Sequence, residues 1–373
     1  MKKLVILDLS GSRIPENWKG WGQIKMASNL KVLDISHTEI RELPDEIRML
    51  KKLEIIVAKY SRLRGIQSLP TSIHTLDLGG CYGLEAPLEL PSSLQFLYVY
   101  LGGCKLQCIL GLPPNLVGLY IDGGLSLEIL PELSNLKLLS ELQLYECRKL
   151  TKIKGLGKLQ SLTSLRIKKC NFLTEIEGLG NLELLENLTI SQCDELTEIQ
   201  GLGNLVSLAS FCMSWCSKIL ELDLLECLAP LASLEMSGYK HPKNKPDRFN
   251  LNKLDFFEVF ECWNLNKIEG LHLLVSLEYL NLSYCSSLVR MPNLSNLKLL
   301  RHLLLPDCMS LREIEGLEAL KALEELDIRG CSSLEKVPHL PNTDILSDDS
   351  DFDFDNYDKD CDEDSDDYDE DFH

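Results

Sequence analysis

One spacing constrains this chain more than any other property. The arrangement Leu-x-x-Leu-x-Leu begins at Leu116, Leu139, Leu162, Leu185, Leu208, Leu231, Leu254, Leu277, Leu300 and Leu323, every step being 23 residues. Looser copies begin at Leu4, Leu30, Leu53, Ile73 and Leu94, with steps of 20 to 26 residues. Within each copy the inward leucines alternate with other residues, which is the period of a short strand with one buried face. A single 23-residue unit has too few apolar side chains to offset the entropy of ordering it, so the units must stack on one another. Length alone suggests two globular domains. The repeat predicts instead one elongated array of about fifteen short parallel strands.

The rest of each unit fits that array. Eight residues after the first leucine stands Cys81, Cys147, Cys170, Cys193, Cys216, Cys262, Cys285, Cys308 or Cys331. A small apolar side chain with a weak donor suits the place where the chain leaves the strand and bends inward. Gly155, Gly178, Gly201, Gly270 and Gly316 share a later register suited to a tight return, and Pro131, Pro292 and Pro338 precede that register by one in other repeats. The convex side is therefore expected to be loops and short 3₁₀ turns. The pattern is identified as that of leucine-rich repeats, and the expected fold is an α/β-type leucine-rich repeat solenoid, a horseshoe with a parallel concave sheet.

Charge divides the chain in two. Its 57 Asp+Glu and 38 Lys+Arg give a formal net charge of −19, yet residues 344–373 alone hold sixteen acids and one lysine. The remaining 343 residues, with 41 acids and 37 bases, are nearly neutral. The expected organisation is a solenoid over 1–343 and an acidic disordered tail over 344–373. This balance disfavours nucleic acid as a partner. No apolar run reaches the ~18 residues of a membrane-crossing helix.

The residues also carry a resemblance to a family. Leu-x-x-Leu-x-Leu-x-x-Cys-x-x-Leu with Pro or Gly in the return resembles the repeat region of plant intracellular disease-resistance receptors of the TIR-type nucleotide-binding (NLR) class. Lys3 to Ser10, Ile24 to Ala27, and the segments Leu69-Pro70-Thr71-Ser72-Ile73 and Leu90-Pro91-Ser92-Ser93-Leu94 strengthen it. The resemblance covers roughly residues 1–341. It implies a module that senses pathogen effectors, or that restrains an intramolecular nucleotide-binding domain in a full-length form, in plant innate immunity. The implied partners are proteins, pathogen or host, and the implied location is cytoplasmic or nuclear. The phosphate loop of that family, Gly-x-x-x-x-Gly-Lys-Ser/Thr, has no counterpart here, because Gly155-Leu156-Gly157-Lys158 lacks the spacing. The expectation is thus a receptor segment without TIR and nucleotide-binding domains, or a truncated gene product. The competing expectation is a generic repeat scaffold, such as a phosphatase or ubiquitin-ligase adaptor.

Candidate site residues follow from the strand register. Outward positions lie two, four, six and seven residues after the first leucine. The repeats from Leu162 and Leu185 share Leu-Thr-Glu-Ile and Gly-Leu-Gly, yet differ outward, with Ser164, Arg166, Lys168 and Lys169 against Asn187, Thr189, Ser191 and Gln192. Three concave patches are candidates for partner binding. Tyr98, Tyr100, Tyr120 and Tyr145 should form an aromatic strip, with Arg166, Lys168 and Lys169 as a basic spot beside it. Trp215, Phe256, Phe260, Tyr279 and Tyr284 follow further along. Exposed aromatics and Arg are favoured interface anchors, although such rings also pack across strands and stabilise a sheet. Residues 240–248 replace the expected leucines with a basic loop. The 23-residue cysteine spacing lacks paired metal ligands, and Asp351-x-Asp353-x-Asp355 departs from a calcium loop at its sixth and twelfth positions. No catalytic constellation, metal site or cofactor site is expected.

Overall fold

The structure is a computed structural model that describes residues 2–15, 18–67, 69–85, 88–102, 109, 111–219, 230–238, 251–268 and 270–347. The basic loop at 240–248, Cys104, Cys108 and the segment 348–373 lie outside the described residues. Sixteen strands form one sheet in chain order: β1 (Ile6–Asp8), β2 (Val32–Asp34), β3 (Ile55–Val57), β4 (Thr75–Leu78), β5 (Phe96–Tyr100), β6 (Gly118–Asp122), β7 (Glu141–Tyr145), β8 (Ser164–Lys168), β9 (Asn187–Ser191), β10 (Ser210–Ser214), β11 (Ser233–Ser237), β12 (Phe256–Phe260), β13 (Tyr279–Asn281), β14 (His302–Leu304), β15 (Glu325–Asp327) and β16 (Asp344–Leu346). Each strand pairs in parallel with the next, and equivalent residues stand side by side, as in Leu165 beside Leu188 and Phe211 beside Leu234. That alignment follows directly from the constant period, since a one-residue slip would turn every leucine outward.

The convex side is built of short turns, as expected. Among the described residues the one α-helix is four residues long, Trp21–Ile24, and 3₁₀ turns occur at Asp45–Met49, Leu156–Lys158, Leu179–Asn181, Leu202–Asn204, Leu271–Leu273 and Leu317–Ala319. Successive returns touch through their backbones. A Cβ on Gly180 would lie 2.9 Å from the Gly201 backbone, so a side chain there would force the coils apart.

The cysteine register explains itself in the same way. The thiol of Cys308 donates to the Leu282 carbonyl (3.1 Å) and that of Cys331 to the Leu305 carbonyl (3.1 Å), each acceptor lying 26 residues earlier. Every described cysteine is buried. Burial pushes the Cys308 thiol up to about 12, so it keeps the proton it donates. Where cysteine is missing, Thr38 supplies its hydroxyl to the Ile35 carbonyl at 2.6 Å.

The array ends one strand later than the sequence pattern places it. The leucine pattern closes the solenoid at residue 343, but Asp344–Leu346 pairs with β15 as the sheet's last strand. Leu340 is buried and Ile345 packs against the core, although neither the cysteine nor the glycine register continues there. At the opposite edge β1 is largely exposed, with Val5 and Ile6 at 45% and 60%.

Candidate functional site

The sheet presents its outward residues in rows on the concave face. In β8 Leu165 and Ile167 are fully buried while Ser164, Arg166 and Lys168 are half-buried, the alternation that the period of two requires. The same alternation holds Tyr98 and Tyr100 on β5, Tyr120 on β6, Tyr145 on β7, and Phe256 and Phe260 on β12 outward. Tyr279 opens β13, and Lys169, Trp215 and Tyr284 follow the ends of their strands. All twelve sequence-predicted residues therefore lie on the concave sheet or on its rim.

The aromatic strip is divided rather than continuous. Tyr98 and Tyr120 stack with ring centroids 4.3 Å apart. Tyr100 instead meets Tyr82 edge-on at 5.7 Å, and Tyr145 carries Lys169 over its ring at 4.7 Å while its hydroxyl accepts from the Lys169 ammonium. The second group forms two pairs, Phe256 stacked on Tyr279 at 4.5 Å and Phe260 edge-on to Tyr284 at 5.3 Å. Trp215 meets Trp263 edge-on at 6.4 Å. The rings thus pack across strands and also retain outward faces, combining sheet stabilisation with a preorganised aromatic surface.

The rim contains the feature that sequence reading missed. Seven residues after the first leucine, His37, Tyr60, Glu146, Lys169, Gln192, Trp215, Glu261, Tyr284 and Asp307 all have φ between 52° and 58°. Glycine fills the same site at Gly11, Gly80, Gly123, Gly238 and Gly330. A left-handed backbone costs an L-residue about 1–2 kcal/mol. Glycine is thus the cheapest occupant, and five repeats use it. Nine repeats keep a side chain, and each of these nine is exposed or half-buried. The five glycines sharing one register are the sequence signal that reveals the site. They also shape the surface: a Cβ on Gly238 would stand 2.5 Å from the Trp215 ring, so its absence lets the indole lie across that repeat toward Trp263.

Three successive rim residues enclose a cleft of about 450 Å³, lined by Glu146, Arg148, Lys169, Asn171, Phe172 and Gln192. Lys169 lies 3.9 Å and Arg148 3.2 Å from Glu146, and Asn171 donates to Asp194 at 2.6 Å. Phe172 is 59% exposed at its edge. Beside it Asp122 has one carboxylate oxygen buried with no hydrogen-bond partner. Burial first, then the neighbouring Glu146 charge, raises its pKa to about 6, against the opposing pull of the Gly123 amide and Lys169. Among the described residues no three His, Cys, Asp or Glu side chains gather as a metal would need. No described helix is long and apolar enough to cross a membrane.

Comparison with solved structures decides the architecture. The functional domain of InlJ from Listeria monocytogenes, described as including a cysteine ladder, superposes with a TM-score of 0.63 at 18% identity over 88% of this chain and 68% of that one. The chain is a leucine-rich repeat solenoid. A leucine-rich repeat protein of Leptospira interrogans gives a TM-score of 0.54 at 20% identity, covering 87% of this solenoid and 89% of its own chain. In sequence, the solenoid is related to plant disease resistance proteins. It is 33% identical over 153 residues to a probable disease resistance protein of Arabidopsis thaliana, spanning 40% of this chain and 7% of the relative. It is 32% identical over 133 residues to the Arabidopsis disease resistance protein RRS1, spanning 32% of this chain and 10% of the relative. The matched part is therefore about a tenth or less of each relative. A scan against protein-family models finds no match.

Proposed function

We propose that this solenoid is a non-enzymatic protein-recognition module whose concave face and rim contact a protein partner in plant defence. The observation that carries this reading is the row of nine side chains held in left-handed backbone at a site where glycine is the cheaper occupant. The coil geometry sets the left-handed backbone in every such repeat, and side chains kept there at a cost in strain support a contact role. Leucine-rich repeat solenoids are protein-interaction scaffolds, and the two relatives described here carry disease resistance in their names. On this reading the partner is a pathogen effector, a host protein, or a nucleotide-binding domain of the same receptor, encountered in the cytoplasm or nucleus. The surface patches are the aromatic group around Tyr98, Tyr100, Tyr120 and Tyr145, the cations Arg166, Lys168 and Lys169, and the group around Trp215, Phe256, Phe260, Tyr279 and Tyr284.

Gln192→Gly tests this directly, because it relieves the backbone while removing a rim side chain. Partner recovery by the variant should fall although its stability does not. A variant that binds as well as the parent would remove the rim from the interface.

A further inference from the structure

Among the described strands β8 alone contains Lys or Arg, although Lys59 and Arg329 hold the register of Lys168 just beyond β3 and β15, where they pair with Asp77 at 3.9 Å and Asp327 at 2.6 Å. Arg166 and Lys168 stand in the middle and at the end of β8, and Lys169 follows on the rim. Next to them β9 and β10 carry only uncharged side chains on this face, Asn187 exposed, Thr189 and Ser210 half-buried, and Ser191, Cys212 and Ser214 buried between their neighbours. Ser214 donates to Ser191 at 2.9 Å, a buried bond that joins these two strands. Aromatic rings bound them, Tyr145 on β7 and Trp215 beyond β10. A carboxylate-bearing segment would meet like charge along most of this concave face and two cations of one strand, Arg166 and Lys168, on β8.

The chain itself carries such a segment. Residues 348–373 hold fifteen carboxylates against one lysine, interspersed with Phe352, Phe354, Tyr357, Tyr368 and Phe372. We propose that this segment docks in cis across β8–β10, its carboxylates on Arg166 and Lys168 and its rings against Tyr145 and Trp215, so that it occupies the surface a partner would use. The inference rests on the reading of the concave face as a recognition surface. The reach is sufficient: eight inter-strand steps from β16 to β8 span roughly 38 Å, and 26 residues extend to at most about 90 Å. Tethering supplies a high effective concentration, so individually weak ionic contacts suffice, and an external partner must displace the chain's own segment.

Zero-length carbodiimide cross-linking of the intact chain, joining carboxylates to amines and mapped by mass spectrometry, tests the contact without any partner. Cross-links from 348–373 should concentrate on Lys168 and Lys169. They should fall severalfold in about 0.5 M NaCl, where the screening length shortens. Arg166→Glu, which leaves both reporter lysines in place, should produce the same fall, and the salt arm stands even if that variant folds poorly. Cross-links spread evenly over lysines such as Lys31, Lys52 and Lys321 would overturn the proposal. So would links formed mainly between isotopically distinct chains in a mixture. Capture of an outside acidic protein that depends on Arg166, with no link from 348–373, would assign the strip to that partner instead and leave the recognition reading standing.

Discussion

The cost of the left-handed rim can be measured at two positions with opposite expected signs. At Gly11 φ is +63° and an added Cβ would meet no heavy atom within 4 Å, so Gly11→Ala changes backbone preference alone. The left-handed cost of about 1–2 kcal/mol is offset by about 0.4–1 kcal/mol from restricting the unfolded chain. The net expectation is a loss of about 0.5–1 kcal/mol. Gln192, at φ +52°, is the converse. Its amide donates to the Ser214 carbonyl at 2.9 Å and its own carbonyl accepts from Asn171 at 3.5 Å, and glycine keeps both. Gln192→Gly should therefore stabilise its repeat by about 0.5–1 kcal/mol. A long repeat array does not melt as one cooperative unit, so native-state hydrogen exchange is the suitable assay. Protection at the Gln192 amide should rise roughly two- to fivefold, and that at the Gly11 amide should fall by a similar factor in Gly11→Ala. A neutral Gly11→Ala, or a Gln192→Gly variant that loses more than about 1 kcal/mol, would show that the rim side chains serve folding and would refute the reasoning.

Other substitutions probe the scaffold and the cleft. Gly180→Ala places a Cβ 2.9 Å from the Gly201 backbone and should cost about 1–3 kcal/mol in native-state hydrogen exchange of its repeat. Leu188→Ala empties a fully buried position at mid-array and should cost about 2–5 kcal/mol by the same measurement. Asp122 has a folded-state pKa raised to about 6, so its contribution to stability is full below the ordinary carboxylate pKa and is lost as pH rises through about 6. Asp122→Asn should thus stabilise the protein at pH 7.5 by about 1–2 kcal/mol after allowance for solvent screening. That gain should vanish near pH 4, as read from native-state hydrogen exchange of its repeat across pH.

Much of the fold was legible because the period is a geometric constraint that few other properties can override. Leu165, Leu188 and Phe211 stand in line because each lies 23 residues after the last, and Gly178 and Gly201 mark the convex returns. The sixteenth strand was hidden because only Leu340 and Ile345 announce it, without the cysteine or glycine registers. The division of the tyrosine strip was hidden for a different reason. The register places Tyr100 on the correct face but does not tell which neighbour a ring will lean toward, and Tyr82 on the preceding repeat captures it. Trp215 and Trp263 meet only because Gly238 leaves the space between them empty. The rim was obscured because Lys, Gln, Glu and Trp carry no intrinsic preference for left-handed backbone, and only alignment with Gly80, Gly123 and Gly330 exposes it.

The claim that the concave face binds a partner is tested most directly by quantitative affinity capture from plant extract. The intact chain would be compared with Tyr100→Ala/Tyr120→Ala on the concave face and with Lys152→Ala and Lys218→Ala on exposed side chains elsewhere, the latter paired with Glu175 and Glu195. Recovery of the parent's partners should drop roughly tenfold or more with the double tyrosine variant, the loss expected of aromatic anchors, while the lysine variants recover them unchanged. Retention of the same proteins by the tyrosine variant, with their loss in either lysine variant, would contradict it.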